Sequence, residues 1–399
     1  RKVTMLQQGV IPIVEDGLAE MVADGQRSGR LTFHLGSVES VASADVVFLC
    51  VPTPQDDDGS ADLTYVKLAA TEIGPHLQAG AVVVNKSTVP VGSFHVVGEA
   101  LGRADVDVVS NPEFLREGSA VHDCLHPDRV VIGAENPEAA AKVAALYDSL
   151  DTEVILTDPA SSETIKYAAN GFLAMKISFI NSVAALCEHV GADIKMVAYG
   201  MGTDARIGGA FLQPGPGWGG SCFPKDSRAL VSTAAQHGYD FSLMRGAVDI
   251  NEQQHHRMVR KVMGAVDQTV SLDGVVVGVV GLTFKAGTDD LRESPSLRIV
   301  KALRARGATV KAYDPTTCGT LNRVQEQRLA GIELCQTALG AAEDADVLVV
   351  LTEWPEFAEI DMEKVAHSMK GDAVVDGRNL FDPSEVKAAG LRYDGVGRS

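Results

Sequence analysis

Residues Asp45–Val51, Ala81–Asn85, Val106–Ser110, Arg129–Gly133 and Glu153–Leu156 are short runs rich in Val and Ile, each separated from the next by helical or loop sequence. Strands buried on both faces of a parallel sheet read this way, so the runs dictate a doubly wound α/β domain. In such sheets ligands bind beyond the carboxyl ends of the strands. Those ends carry Pro52-Thr53-Pro54, Lys86-Ser87-Thr88-Val89-Pro90 and Asn111-Pro112-Glu113-Phe114-Leu115-Arg116-Glu117-Gly118. A single polar strand end is an ordinary turn, but three in succession predict one crevice.

Before the first run lie Ile11-Pro12-Ile13 and a short helix around Gly17–Val22, with no strand. After the last run, Asp158-Pro159 is an N-cap with proline at N1, and an unusually long helical pattern continues to Gly191. Lys166 and Asn170 share a face of it. The apolar residues around them predict a buried helix, in which a lysine needs a partner. A further helix from Ser242 to about Gly264 reads as a connector between domains.

The strand-and-helix rhythm restarts at Val275–Val280 and continues through Thr309–Asp314, Asp346–Leu351 and Asp372–Asp376, a second and smaller α/β domain. Lys285 and Arg378 stand at two of its strand ends, suited to clamping a phosphate.

Between these parts lies Pro214-Gly215-Pro216-Gly217-Trp218-Gly219-Gly220-Ser221-Cys222-Phe223-Pro224-Lys225-Asp226. Its glycines leave a bare backbone that a ligand can approach, and a helix is expected right after Cys222. An isolated cysteine is ordinarily a small buried hydrophobe. Here a positive helix end and Lys225 favour the thiolate. Gly215, Gly217 and Gly220 satisfy G-x-G-x-x-G, but no strand precedes them and two prolines interrupt, so the run is a substrate loop rather than a dinucleotide turn. No other stretch supplies that turn. The reading here is that a strand, glycine turn and helix, one ~30-residue unit, precede Arg1 in the natural chain.

The 399-residue chain carries a formal net charge of -18, which argues against nucleic acid or an anionic membrane surface as partner. Six scattered cysteines form neither a disulfide framework nor a metal site, and no metal is expected. No apolar run reaches the length of a membrane span and no signal peptide is recognisable, so a cytoplasmic location is expected.

Taken together, Asn85–Pro90, Asn111–Gly118, Lys166–Asn170, Gly219–Asp226 and Phe284–Asp290, in this order, resemble the UDP-glucose 6-dehydrogenase family, from Ile11 to Arg398. The resemblance implies two doubly wound Rossmann-like domains joined by a helical middle segment with a long central helix. The divisions are 1–157 for NAD, 158–270 for dimerisation and the Cys loop, and 271–399 for the UDP-sugar. It implies a homodimer or higher homo-oligomer and a four-electron oxidation of UDP-glucose to UDP-glucuronate with NAD. Cys222 would form a thiohemiacetal and then a thioester, with Lys166 and Asn170 stabilising oxygen charge. Asp226 would orient Lys166 or water, and Glu113 with Thr88 would act through water; the base role stays divided among Lys166, Asp226 and Glu113. Substrate contacts would come from Phe114, Leu115, Phe211, Leu212, Gly215, Trp218, Gly219, Lys285 and Arg378, with Arg206 reaching from a partner subunit. Trp218, where the family more often has Tyr or Phe, would offer a flat ring for stacking. NAD would meet Thr53, Ser87, Thr88, Glu117, Lys225 and Arg292. GDP-mannose or a UDP-N-acetylhexosamine are alternative substrates, and a nucleotide-sugar-binding protein without activity is the alternative class.

Overall fold

The computed structural model describes residues 2–13, 15–56 and 59–398. It divides into one unit of Arg1–Asn170 with Lys225–Phe241, and another of Gly171–Pro224 with Ser242–Ser399.

In the first unit β1 (Val46–Leu49), β2 (Val82–Asn85), β3 (Asp107–Ser110), β4 (Arg129–Ala134) and β5 (Glu153–Thr157) form one sheet in sequence order. Side chains alternate across it. Val83 and Val108 pack with Val66, Ala70, Val97 and Leu101 of two helices. Val82, Val84, Val109 and Ile132 pack with Ala139, Ala140 and Val143 of a third. Period-two alternation between two apolar layers is why the strands read as continuous Val and Ile.

The sequence pattern predicts a purely parallel sheet, and the structure departs from it at one pair: β4 runs antiparallel to β3, pairing Val109 with Ala134 and Ser110 with Gly133. A strand covered on both faces has the same composition in either direction, so this reversal left no mark. It brings the start of β4, rather than its end, to the edge where β1, β2 and β3 finish. At the other end of the sheet β1 is an edge strand, its Phe48 37% exposed. A helix at Lys2–Gln7, with no buried residue, also went unpredicted.

The second unit holds a six-stranded parallel sheet in the order β11-β10-β9-β6-β7-β8. Its strands are β6 (Val276–Val280), β7 (Thr309–Tyr313), β8 (Glu333–Leu334), β9 (Val347–Val350), β10 (Ala373–Asp376) and β11 (Arg392–Gly395). The two-residue β8 and the polar β11 carry no apolar run and were missed. The helix Ser242–Ala265 is no connector: it lies wholly in this unit, where Met258, Val259 and Val262 join the core.

One helix spans Pro159–Val190, 32 residues. By length and composition alone it could cross a bilayer, with a window of mean hydropathy 1.3 that is 44% buried. The sequence expectation of no such stretch fails because Leu173, Ile177, Ile180, Val183 and Leu186 outweigh the polar residues interspersed among them.

Near its start Glu163 is buried, its carboxyl accepting from Gly92 N at 2.6 Å and Phe94 N at 2.9 Å, at the opening of the helix Ser93–Leu101. Burial pushes its pKa from 4.5 up to about 7, against the pull of those amides. The folded value lies above the unfolded one, so this contribution to stability is full below pH 4.5 and is lost as pH rises to about 7. Glu163→Gln should remove about 3 kcal/mol of pH dependence. Melting curves of the two proteins that stay parallel from acid to neutral pH would refute this.

Candidate active site

In the first unit, Glu163, Lys166, Tyr167 and Asn170 lie at helical spacing on one face of the long helix. Lys166 is 3% exposed. Its partner is Glu113: Nζ donates to the Glu113 carbonyl at 2.5 Å and lies 3.3 Å from the carboxylate Oε1. The loop after β3 therefore supplies what the helix lacks. Asn170 Nδ2 donates to Asp226 Oδ2 at 2.6 Å, and Lys225 Nζ reaches Asp226 Oδ1 at 2.7 Å. Asp226 is fully buried, and each of its oxygens has a donor. It thus orients Asn170 and Lys225, whereas Lys166 is oriented by Glu113. Close by, the Tyr167 hydroxyl is buried without a protein partner. Burial, then Asp226 and Glu163, push its pKa well up, so it stays a neutral phenol.

The loop carrying Glu113 is tied down at both ends. Asn111 accepts from Lys86 Nζ and Tyr147 Oη and donates to the Val131 carbonyl. Arg116 grips Asp123 through Nε, Nη2 and its own backbone N, and the guanidinium holds that carboxyl down at about 2. In between, Leu115 N donates to Glu113 Oε2 at 2.6 Å, while the Leu115 side chain is 40% exposed.

At the ends of β1 and β2 the expected cofactor hydroxyls cross-link the loops. Thr53 Oγ1 donates to the Thr88 carbonyl at 2.9 Å, and Ser87 Oγ lies 3.2 Å from Leu49 O and 2.8 Å from Val51 O. Thr88 and Glu117 are half-buried. Asn85, ending β2, is buried with both amide atoms lacking a protein partner. These polar groups lie beyond the carboxyl ends of β1 and β2, where ligands of open α/β sheets bind. Among the described residues no glycine turn joins a strand to a helix ahead of β1.

In the second unit no strand lies between Val190 and β6, which upholds the rejection of Gly215, Gly217 and Gly220 as a dinucleotide turn. The loop is buried, and its bare backbone meets protein rather than open space. Gly215 N donates to Asn181 Oδ1, and Gly215 O accepts from Gln254 Nε2, both at 2.8 Å. A Cβ on Gly219 would stand 2.1 Å from the Glu293 carbonyl oxygen. Gly219→Ala should therefore cost about 1–3 kcal/mol, and an unchanged melting temperature would refute that.

Trp218 is only 5% exposed: its indole Nε1 donates to Ser178 Oγ, and Asn251 brackets its backbone. It fixes the loop rather than presenting the open stacking face expected from sequence, because the indole fills the space beside Ser178. Leu212 is likewise buried, while Phe211, at φ 63°, packs against Phe223. Arg378 donates to the carbonyls of Leu351 and Phe284, and its Nη1 would lie 3.2 Å from a Cβ on Gly215. It thereby gathers the Lys285 loop and the Gly215 loop. Arg206 and Arg292 are exposed and paired with Asp204 and Asp290. Cys222 is half-buried, its Sγ 3.5 Å from Ser221 Oγ, and it immediately precedes the helix Phe223–Gln236.

One carboxyl of this unit is fully occupied. Asp314, following β7, accepts from Leu282 N, Thr283 N, Thr283 Oγ1, Trp354 Nε1, Thr316 N and Thr316 Oγ1.

A doubly wound unit with polar strand ends, beside a buried lysine and amide on one helix face, is the equipment of a nucleotide-dependent oxidoreductase. The sequence matches three models of one family: the NAD binding domain over residues 1–151, the central domain over 160–253 and the UDP binding domain over 278–383. The chain belongs to the UDP-glucose/GDP-mannose dehydrogenase family. It is 44% identical to UDP-glucose 6-dehydrogenase TuaD of Bacillus subtilis, over 100% of this chain and 86% of that protein. It is 45% identical to UDP-glucose 6-dehydrogenase of Rhizobium meliloti, over 100% and 92%. A solved UDP-glucose dehydrogenase from Pyrobaculum islandicum superposes with a TM-score of 0.90 at 35% identity, covering 100% of this chain and 90% of that one.

Proposed function

We propose that the protein oxidises UDP-glucose to UDP-glucuronate in two NAD-dependent steps. The observation that carries this reading is the buried Lys166, fixed by Glu113 on the same helix face as an Asn170 fixed by Asp226. A cation and an amide donor held in advance stabilise oxygen charge at a carbon undergoing oxidation, at little reorganisation cost.

NAD, when bound, supplies the two-electron acceptor for each oxidation. Thr53, Ser87, Thr88, Glu117 and Lys225 would hold it in the first unit. Lys166 and Asn170 steady the C6 oxygen as its proton departs, through Glu113 or water. The Cys222 thiolate adds to the aldehyde carbon, giving a thiohemiacetal whose oxidation leaves a thioester. Water adds to the thioester carbonyl, the thiolate leaves, and the carboxylate product is released. Lys285 and Arg378 suit the diphosphate, the other expected loop residues the sugar, and Arg206 a neighbouring subunit's substrate. The same reading keeps the divisions at 157 and 270 and a reducing cytosol, where a catalytic thiol stays unoxidised. A homodimer is supported by Phe172, Phe179 and Leu186, seven residues apart on the long helix and each more than half exposed.

The test is NADH formation from purified protein with UDP-glucose, GDP-mannose or a UDP-N-acetylhexosamine. Two NADH per UDP-glucose is the expected result. Turnover of another sugar nucleotide alone, or UDP-glucose binding without NADH, would overturn it.

A further inference from the structure

We propose that Arg129 is a positioning residue, holding the Glu113–Leu115 segment in register with Lys166 by stacking on Phe114. Its guanidinium carbon lies 3.8 Å from the centroid of the Phe114 ring, and Lys166 Nζ lies 5.2 Å from the same centroid. Two cations thus share one aromatic quadrupole, and the nearer has a planar group matched to the ring.

The reversed strand explains why Arg129 is available. Ser110 of β3 pairs with Gly133 of β4 in antiparallel sense. Four residues onward from Ser110 is Phe114, and four residues back from Gly133 is Arg129. A parallel β4 would have carried its first residue to the opposite edge of the sheet.

The loop needs such a brace. Its ends are fastened at Asn111 and at Arg116–Asp123, whereas its middle reaches toward Lys166. Lys166 is anchored chiefly on a backbone carbonyl, that of Glu113, so a shift of the segment shifts the lysine's acceptor with it. Asp128, 4.0 Å from Arg129 Nη1 and 95% exposed, competes weakly for the guanidinium. Arg129 acts through Phe114 and not on the reacting atoms.

The kinetic part of the test rests on the proposed oxidation of UDP-glucose, and the exchange part does not. Arg129→Met keeps an apolar stem and removes the planar cation. It should lower kcat for UDP-glucose oxidation about three- to tenfold, because the group displaced is Lys166, with KM for NAD unchanged. Arg129→Lys should recover part of the loss. With Phe114→Leu already present, Arg129→Met should add nothing further, since the ring through which it acts is gone. In ligand-free protein, amide exchange at Leu115 should quicken in Arg129→Met, as its bond to Glu113 loosens. A raised KM for NAD, undiminished losses in the Phe114→Leu background, or unchanged exchange at Leu115 would overturn the proposal. Wild-type protein that makes no NADH from UDP-glucose would overturn the functional reading, and exchange at Leu115 would still decide the role of Arg129.

Discussion

Cys222→Ser is expected to reduce steady-state UDP-glucuronate formation by about three orders of magnitude. Serine is nearly isosteric, so the half-buried position before the helix Phe223–Gln236 is filled as before, and melting should hardly move. What changes is nucleophilicity. A thiol forms an appreciable fraction of thiolate near neutral pH, helped by a helix N-terminus, whereas a hydroxyl without an adjacent base does not. The resulting ester would also hydrolyse less readily than a thioester. Rapid-quench sampling should show at most the first oxidation, with aldehyde accumulating and product formation stalled. UDP-glucuronate produced at the wild-type rate would rule out the covalent route.

Lys166→Met should lower kcat by about 10²–10³ with a much smaller change in KM, the signature of a charge used mainly in the transition state. The side chain is almost wholly buried, so no water replaces the ammonium at the C6 oxygen. Folding should tolerate the change. The released Glu113 carboxylate is 26% exposed and stays hydrated, and a buried ammonium is costly to hold, so methionine of similar length is close to neutral for stability. A kcat within about fivefold of wild type, in protein that melts normally, would remove Lys166 from the chemistry.

Much of this site could be read from local spacing. Lys166 and Asn170 are four apart on a helix whose alanines announce burial, and Cys222 is followed by a helix start. The same arithmetic extends to Glu163, one turn earlier, and would have found it. Other parts depend on pairings that no short window contains. Glu113 meets Lys166 across 53 positions. Arg129 reads as the polar opening of a strand, and only the direction of β4 turns it toward Phe114. The glycines of the Cys222 loop suggest a bare backbone, but the sequence cannot say what approaches it; Asn251, Gln254 and Glu293 fill that space. Composition likewise separates strand from helix, yet is silent about parallel and antiparallel neighbours, and a strand as short as β8 has no periodicity to detect.

Asp314 stands where a dinucleotide fold places the acidic residue that reads a ribose, at the end of its second strand. With six donors converging on its two oxygens, it has no lone pair left to offer a sugar hydroxyl. A carboxyl in that position has become an internal fastener, sealing the first crossover of the second unit from within. A ribose hydroxyl could reach this carboxylate only by displacing one of the donors that already hold it.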